Sequence, residues 1–292
     1  MKRAIVPIAS ACLLALAACS SSSTAPPPVP AGFHVYTSDF LNPGTVSIFK
    51  APLTSASTPS GSFAGLNEPA NMTFDPANRL FVANFNGSLV AVYNSPITSG
   101  ATPAFTVPTT VLAEDPALDG FGNLYVAGLG AGINVLTGPI SSSSTVTFTI
   151  TNGVGGARGI AFDSSGNLWA NGSPNIVEYV PPFSAASAPN ISFAGNNNVH
   201  GIAFDSSGNM YAVGSNSVDQ YKPPFSNATT KAFSITVTSP DYLKFDSAGN
   251  LYVTDSAGQL EVFTPPFSAA STPTVTVALP GAPGIPGIAI GP

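Results

Sequence analysis

Beyond the first thirty residues, apolar and polar positions alternate in short runs bounded by turn residues. Leu80-Phe-Val, Leu124-Tyr-Val, Leu168-Trp-Ala, Met210-Tyr-Ala and Leu251-Tyr-Val each follow a segment rich in Asp, Gly and Asn. Period-two patterning with aromatic residues predicts half-buried strands there. Ahead of each turn another apolar run ends in a two-residue step: Phe74-Asp75, Leu118-Asp119, Phe162-Asp163, Phe204-Asp205 and Phe245-Asp246. The steps recur every 41 to 44 residues, and two copies nearly coincide: Gly159-Ile-Ala-Phe-Asp-Ser-Ser-Gly-Asn-Leu-Trp-Ala170 and Gly201-Ile-Ala-Phe-Asp-Ser-Ser-Gly-Asn-Met-Tyr-Ala212. Such a period is the mark of an array or a closed ring.

Two further strands complete each repeat. The third ends on Tyr93, Leu136, Tyr179, Tyr221 or Phe263, and three residues on stands Pro96, Pro139, Pro182, Pro224 or Pro266. Proline cannot donate to a ladder, so it marks the turn into a fourth strand, expected at 104–107, 146–150, 190–194, 232–237 and 275–279. Four antiparallel strands make one propeller blade. The chain ends supply a sixth: Phe33-His-Val-Tyr36 as second strand, 45–49 as third, 62–64 as fourth, and Gly287-Ile-Ala-Ile290 as the missing first. The expected fold is all-β: a six-bladed β-propeller of four-stranded antiparallel blades, closed by one C-terminal strand plus three N-terminal strands. Residues 33–292 allow about 43 per blade, and a seventh blade would need about 40 more.

The Gly-Ile-Ala-Phe-Asp-x-x-Gly-Asn-Leu-Tyr-Val pattern resembles the NHL-repeat group of six-bladed propellers, within the wider TolB-like class. The resemblance spans almost all of 33–292. It speaks for fold and not for activity, since this ring hosts lactonases, lyases and pure binding scaffolds.

The N-terminus predicts an address. Met1-Lys2-Arg3 precedes an apolar run from Ala4 to Leu16, too short to span a bilayer, and Leu16-Ala17-Ala18-Cys19 follows. That block resembles the lipobox of bacterial lipoproteins, which implies cleavage after residue 18 and acylation of Cys19. Residues 1–18 are expected to be a lipoprotein signal peptide, and 19–32 a lipidated Cys with a Ser/Pro-rich tether, extended and semi-rigid. The resulting expectation is a cell-envelope protein held by lipid, at the outer membrane if the cell is Gram-negative. Cys12 leaves with the signal and Cys19 is modified, so disulfides and cysteine nucleophiles are excluded.

Charge removes one class of partner. The chain has 8 basic and 14 acidic residues, and its few Lys and Arg do not cluster, so nucleic acid is not expected. Envelope proteins, peptides or glycans remain. Asp163, Asp205 and Asp246 before their Gly turns are read as local hydrogen-bond acceptors, because a calcium loop needs more carboxylates at alternate positions. Trp169 fills the slot of Phe81, Tyr125, Tyr211 and Tyr252, and His34 is assigned to it in the split blade.

Candidate chemistry lies where the copies differ. Four residues before the Phe of each step stand Ala70, Glu114, Arg158, His200, Asp241 and Pro286; the next positions are Asn71, Asp115, Gly159, Gly201, Tyr242 and Gly287. Equivalent positions in a ring meet at the channel mouth. Glu114, Asp115, Arg158, His200, Asp241 and Tyr242 are therefore the expected ligand site, with acid–base or binding chemistry open to them. The function read first is a lipid-anchored binding or interaction scaffold. The alternative is a divalent-metal-dependent hydrolase or lyase of the gluconolactonase type. That lactonase resemblance implies a cation such as calcium on Glu68, Asn71, Asp115 and Asp241. With His34 and His200 the only histidines, a three-histidine zinc site of the amidating-lyase type fails.

Overall fold

The computed structural model describes residues 32–129, 132–154, 156–172, 174–195, 200–281 and 284–292, in which the apolar runs form six four-stranded antiparallel sheets. The expected signal peptide, Cys19 and the expected tether up to residue 31 lie outside the described residues. Blade one is Ile288–Gly291, His34–Ser38, Gly44–Lys50 and Gly61–Leu66, from the channel outward. Blade two is Pro69–Phe74, Leu80–Asn84, Leu89–Tyr93 and Phe105–Pro108; blade three is Leu112–Leu118, Leu124–Leu129, Ile133–Leu136 and Phe148–Ile150. Blade four is Gly159–Phe162, Leu168–Asn171, Asn175–Tyr179 and Ile191–Ala194. Blade five is Ile202–Phe204, Met210–Val213, Ser217–Tyr221 and Phe233–Thr236, and blade six is Pro240–Phe245, Leu251–Asp255, Gln259–Phe263 and Val275–Ala278.

The protein is a six-bladed β-propeller closed as expected. Ile288–Gly291 pairs antiparallel with His34–Ser38, Ile290 opposite Val35, so the last strand of the chain completes the first blade. Each inner strand packs on the next around the ring, and Ile288–Gly291 sits between Pro240–Phe245 and Pro69–Phe74. The hydrophobic core is correspondingly divided into six clusters, one between each pair of neighbouring blades. The period-two pattern explains this, because alternate side chains of each strand face the blades on either side.

The repeated Asp holds the inner hairpin of blades two to six. Asp163 Oδ1 accepts the N–H groups of Ser165 and Asn167, both at 2.9 Å, and its Oδ2 accepts Asn167 Nδ2 at 3.0 Å and Trp169 Nε1 at 2.9 Å. Gly166 turns the corner at φ 80°, a left-handed conformation that costs glycine little. Asp246 makes the same set with Ala248, Asn250 and the Tyr252 hydroxyl. In blade two, Arg79 replaces the Asn; its Nε reaches Asp75 at 2.7 Å, and its guanidinium lies over Phe81, which has no hydroxyl to offer.

Two expectations are corrected. The aromatic slot of blade one belongs to Tyr36 and not to His34: Tyr36 pairs with Ala289 as Trp169 pairs with Ala161. His34 stands two residues earlier, on the same face of the strand because side chains repeat every second residue, and this is why the slot was misassigned. Most outer strands are also shifted or shorter than expected, Phe105–Pro108 and Phe148–Ile150 among them, while Gly61–Leu66 is longer. They have one neighbour and alternate with solvent, so their ends carry little apolar signal.

Candidate functional site

The glycine of the Gly-Ile-Ala-Phe motif has a packing reason that leads directly to the channel mouth. A β-carbon on Gly159 would overlap the His200 carbonyl, and one on Gly287 would overlap that of Ala70. The inner strands thus approach backbone to backbone where they start. The preceding residues, one per blade, are drawn together by that approach.

In blades three and six the approach is adjusted by β-bulges. Register shifts between Ala113 and Asp115, and again between Pro240 and Tyr242, so Glu114 and Asp241 are the extra, unpaired residues. Bulges re-aim a side chain, and these two set their carboxylates on either side of the His200 ring, Glu114 Oε2 3.9 Å from Nε2 and Asp241 Oδ1 3.6 Å from Nδ1. Arg158 Nη2 meets Glu114 Oε1 at 2.5 Å, and Arg158 Nη1 lies 3.1 Å from His200 Nε2. Since a guanidinium only donates, Nε2 accepts and the imidazole proton is assigned to Nδ1, which faces Asp241 Oδ1 at 3.6 Å. Asp241 Oδ2 accepts the Ser256 hydroxyl at 2.7 Å. Glu114, Arg158, His200 and Asp241, from four consecutive inner strands, form one cluster as the repeat alignment predicts.

Burial dominates the electrostatics. Glu114 is pushed up to about 7 by desolvation, against the opposing pull of Arg158. Asp241 is likewise raised to about 7, with the Ser256 hydrogen bond acting the other way. Desolvation, with Arg158 beside it, lowers His200 to about 3, so its contacts with the two carboxylates are those of a neutral ring and not ion pairs. The Tyr242 ring lies 5.5 Å from the His200 ring; its buried hydroxyl has no hydrogen-bond partner among the described residues. Two carboxylates poised to exchange a proton near neutral pH, beside a fixed cation, can perform acid–base work or hold a polar ligand.

Of the cation set implied by the lactonase resemblance, Asn71 and Asp115 come together, but as hydrogen-bond partners of one another. Asp115 accepts Asn71 Nδ2 at 2.7 Å and the Ile160 N–H at 2.8 Å, while Asn71 Oδ1 accepts the Ile288 N–H at 2.9 Å. These two residues thus bind blades one to four to one another. Burial raises Asp115 above the usual carboxylate range, with Lys244 opposing. Glu68 sits before Pro69–Phe74, half-buried, its backbone bonded to Leu41 and Phe85. Among the described residues, no three His, Asp or Glu groups are arranged to hold a metal ion. These side chains do not fit a cation.

Sequence reasoning missed Ser256 and the bulges. Ser256 follows the second strand of blade six, and antiparallel pairing of Pro240 with Asp255 returns it to the inner strand's start. That topology was a usable signal for Ser256, whereas nothing in the sequence marks a bulge at Glu114.

The fold has many relatives of low identity. The periplasmic gluconolactonase of Pseudomonas aeruginosa matches with a TM-score of 0.60 at 15% identity, over 89% of this chain and 99% of that one. A putative 6-phosphogluconolactonase of Bacteroides uniformis matches at 0.61 and 12%, over 87% and 84%. A chain of a nidogen/laminin complex matches at 0.62 and 16%, over 89% and 99%. No family model matches the chain, and no curated protein matches its sequence. The likenesses define a six-bladed propeller and leave its chemistry to the site.

Proposed function

We propose that this propeller is a metal-independent hydrolase of small cyclic esters, a lactonase in the broad sense, working at the inner-strand end of the channel. The observation that carries the reading is the convergence of Glu114 and Asp241, both raised to about 7, on Arg158 and His200. Arg158 favours the ionised form of Glu114, which accepts a proton from water as the water oxygen adds to the lactone carbonyl. The guanidinium stabilises the oxyanion. Asp241, still protonated, gives its proton to the ring oxygen as the C–O bond breaks, and the hydroxy acid leaves. The two lactonase-named neighbours support the choice of substrate class, at the level of fold.

The test is hydrolysis of δ- and γ-lactones in the presence of EDTA. The reading expects turnover above the spontaneous rate, lost at least 100-fold in Asp241→Asn, about 2.7 kcal/mol of transition-state stabilisation. Background rates, or equal rates in the variant, would sink it. One observation favours a second reading. The Glu114 side chain is 1% exposed and that of Asp241 5%, behind Arg158 and His200 at 18% and 11%. This closure suits an electrostatic brace inside a binding scaffold, for which Asp241→Asn would alter neither hydrolysis nor ligand capture. Under either reading Leu16-Ala17-Ala18-Cys19 supports a lipid-anchored protein of the cell envelope; membrane fractionation of the wild type against Cys19→Ser tests this.

A further inference from the structure

A second site lies at the opposite end of the strands, between blades three and four. The turn there reads Asp119-Gly-Phe-Gly-Asn123, whereas the others carry Ser165, Ser207, Ala248 or Ala77 at the position of Phe121. Phe121 is 90% exposed. Nothing in the blade requires a phenyl ring at this tip, since small residues make the same turn elsewhere. It borders a groove of 750 Å³ whose floor is the edge-to-face pair Tyr125 and Phe183, ring centres 5.5 Å apart.

The equivalent groove between blades five and six is a built-in control. Its floor, Tyr211 and Phe267, is the same, yet its volume is 300 Å³. There Gln220 reaches across to the Tyr211 hydroxyl, and Ser207 stands in the place of Phe121. Blade three has Val135 in place of Gln220, each paired with the aromatic of its own second strand. Valine holds this position in blades two and six as well, as Val92 and Val262, so Gln220 is what narrows the smaller groove and Phe121 is what is particular to the larger one. A volume of 750 Å³ falls within the range of small-molecule sites, about 300–1,000 Å³.

Charge and shape select the occupant. No Lys, Arg or His lines the groove, so it offers nothing to an anion. Its carboxylate, Asp119, is already engaged by the Phe121 and Asn123 N–H groups, Asn123 Nδ2 and the Tyr125 hydroxyl, so it does not recruit a cation. The hydroxyls of Ser164 and Ser165 form the opposite wall and are exposed. The groove is open to water along one side, so its ligand needs one apolar face and one hydroxylated face. We propose that this groove binds a neutral oligosaccharide, a pyranose ring stacking on Phe121 over the Tyr125–Phe183 floor while Ser164 and Ser165 bond its hydroxyls. The proposal is independent of the channel cluster.

Titration of the full chain with cellotetraose, maltotetraose and chitotetraose, followed calorimetrically up to about 10 mM, tests it. At least one should saturate. Phe121→Ser, which restores the repeat residue, should weaken binding at least tenfold, about 1.4 kcal/mol; Phe121→Trp should retain it. Val135→Gln should narrow the groove and weaken binding similarly, and none of these variants should alter lactone turnover. Absence of binding by all three sugars, or unchanged affinity in Phe121→Ser, overturns the proposal. Saturation by a decaproline peptide in place of the sugars also overturns it and assigns the groove to a protein ligand.

Discussion

The two ends of the inner strands carry the same residue type in opposite circumstances. At the turn end, Asp163 and Asp246 receive four hydrogen bonds each from their own hairpins, and the aspartate recurs in five blades. At the mouth, Glu114 and Asp241 occupy bulges, meet side chains of other blades, and are held near 7 by incomplete compensation of burial. In a ring of repeats, a carboxylate that recurs is satisfied locally and builds the blade. Those that appear once at the mouth meet groups of other blades, Glu114 with Arg158 and Asp241 with His200, and it is there that a titratable group can be kept ready to react.

The largest expected effect comes from removing residues 286–292, which abolishes the comparison by opening the ring. Burial of Ile288 alone is worth about 1.5–3 kcal/mol, and four ladder pairings with His34–Ser38 go with it. Against a total stability of roughly 5–15 kcal/mol, the truncated chain should unfold or associate, as size-exclusion chromatography and calorimetry would show. An unchanged melting temperature contradicts the split-blade closure.

A substitution at each end separates the two roles more finely. Asp163→Ala removes four acceptor contacts and leaves the buried Trp169 Nε1 without one; a cost of about 2–4 kcal/mol is expected. Asp241→Asn keeps an acceptor for Ser256 and removes a carboxylate from a dry site, so stability should change by less than about 1 kcal/mol. Denaturant midpoints of the two variants decide the matter, and equal losses would erase the distinction.

Protonation offers a smaller, signed effect. Glu114 and Asp241 titrate at about 7 when folded, from ordinary values of 4.5 and 3.8, so between about pH 4.5 and 7 the folded state holds two protons that the unfolded chain releases. Their contribution to stability therefore falls as pH rises through that window. His200, lowered from 6.5 to about 3, acts in the opposite sense below pH 6.5. For these three groups the net is one proton, a loss of about 1 kcal/mol per pH unit on going from pH 4.5 to 6.5. Asp115, Asp255 and Glu261, all raised by burial, act in the same direction as the pair. Thermal melts across this range should show the slope, and Asp241→Asn should flatten it.

The propeller was legible because repetition amplifies weak signals. The Phe-Asp step, the Gly turn and the alternating strand each mean little once, but at a constant period they fix blade count and closure. Convergence of Glu114, Arg158, His200 and Asp241 followed from the same alignment, since equivalent positions in a ring are neighbours. What the alignment could not supply was how side chains are used. Asn71 and Asp115 have the chemistry of metal ligands, yet the backbone N–H groups of Ile288 and Ile160 claim them. His34 and Tyr36 share a face, and only strand register distinguishes them. Pairing across blades depends on bulges and approach distances that composition does not encode.

The central claim is that burial holds both Glu114 and Asp241 ready to exchange a proton near neutral pH, and carboxyl carbon NMR on protein labelled at Glu and Asp side chains measures this directly. Two resonances should titrate with apparent midpoints near 7, one lost in Glu114→Gln and the other in Asp241→Asn. No carboxyl titrating above about pH 6 would contradict the account, and the cluster would then be a set of fixed charges at the mouth of the ring.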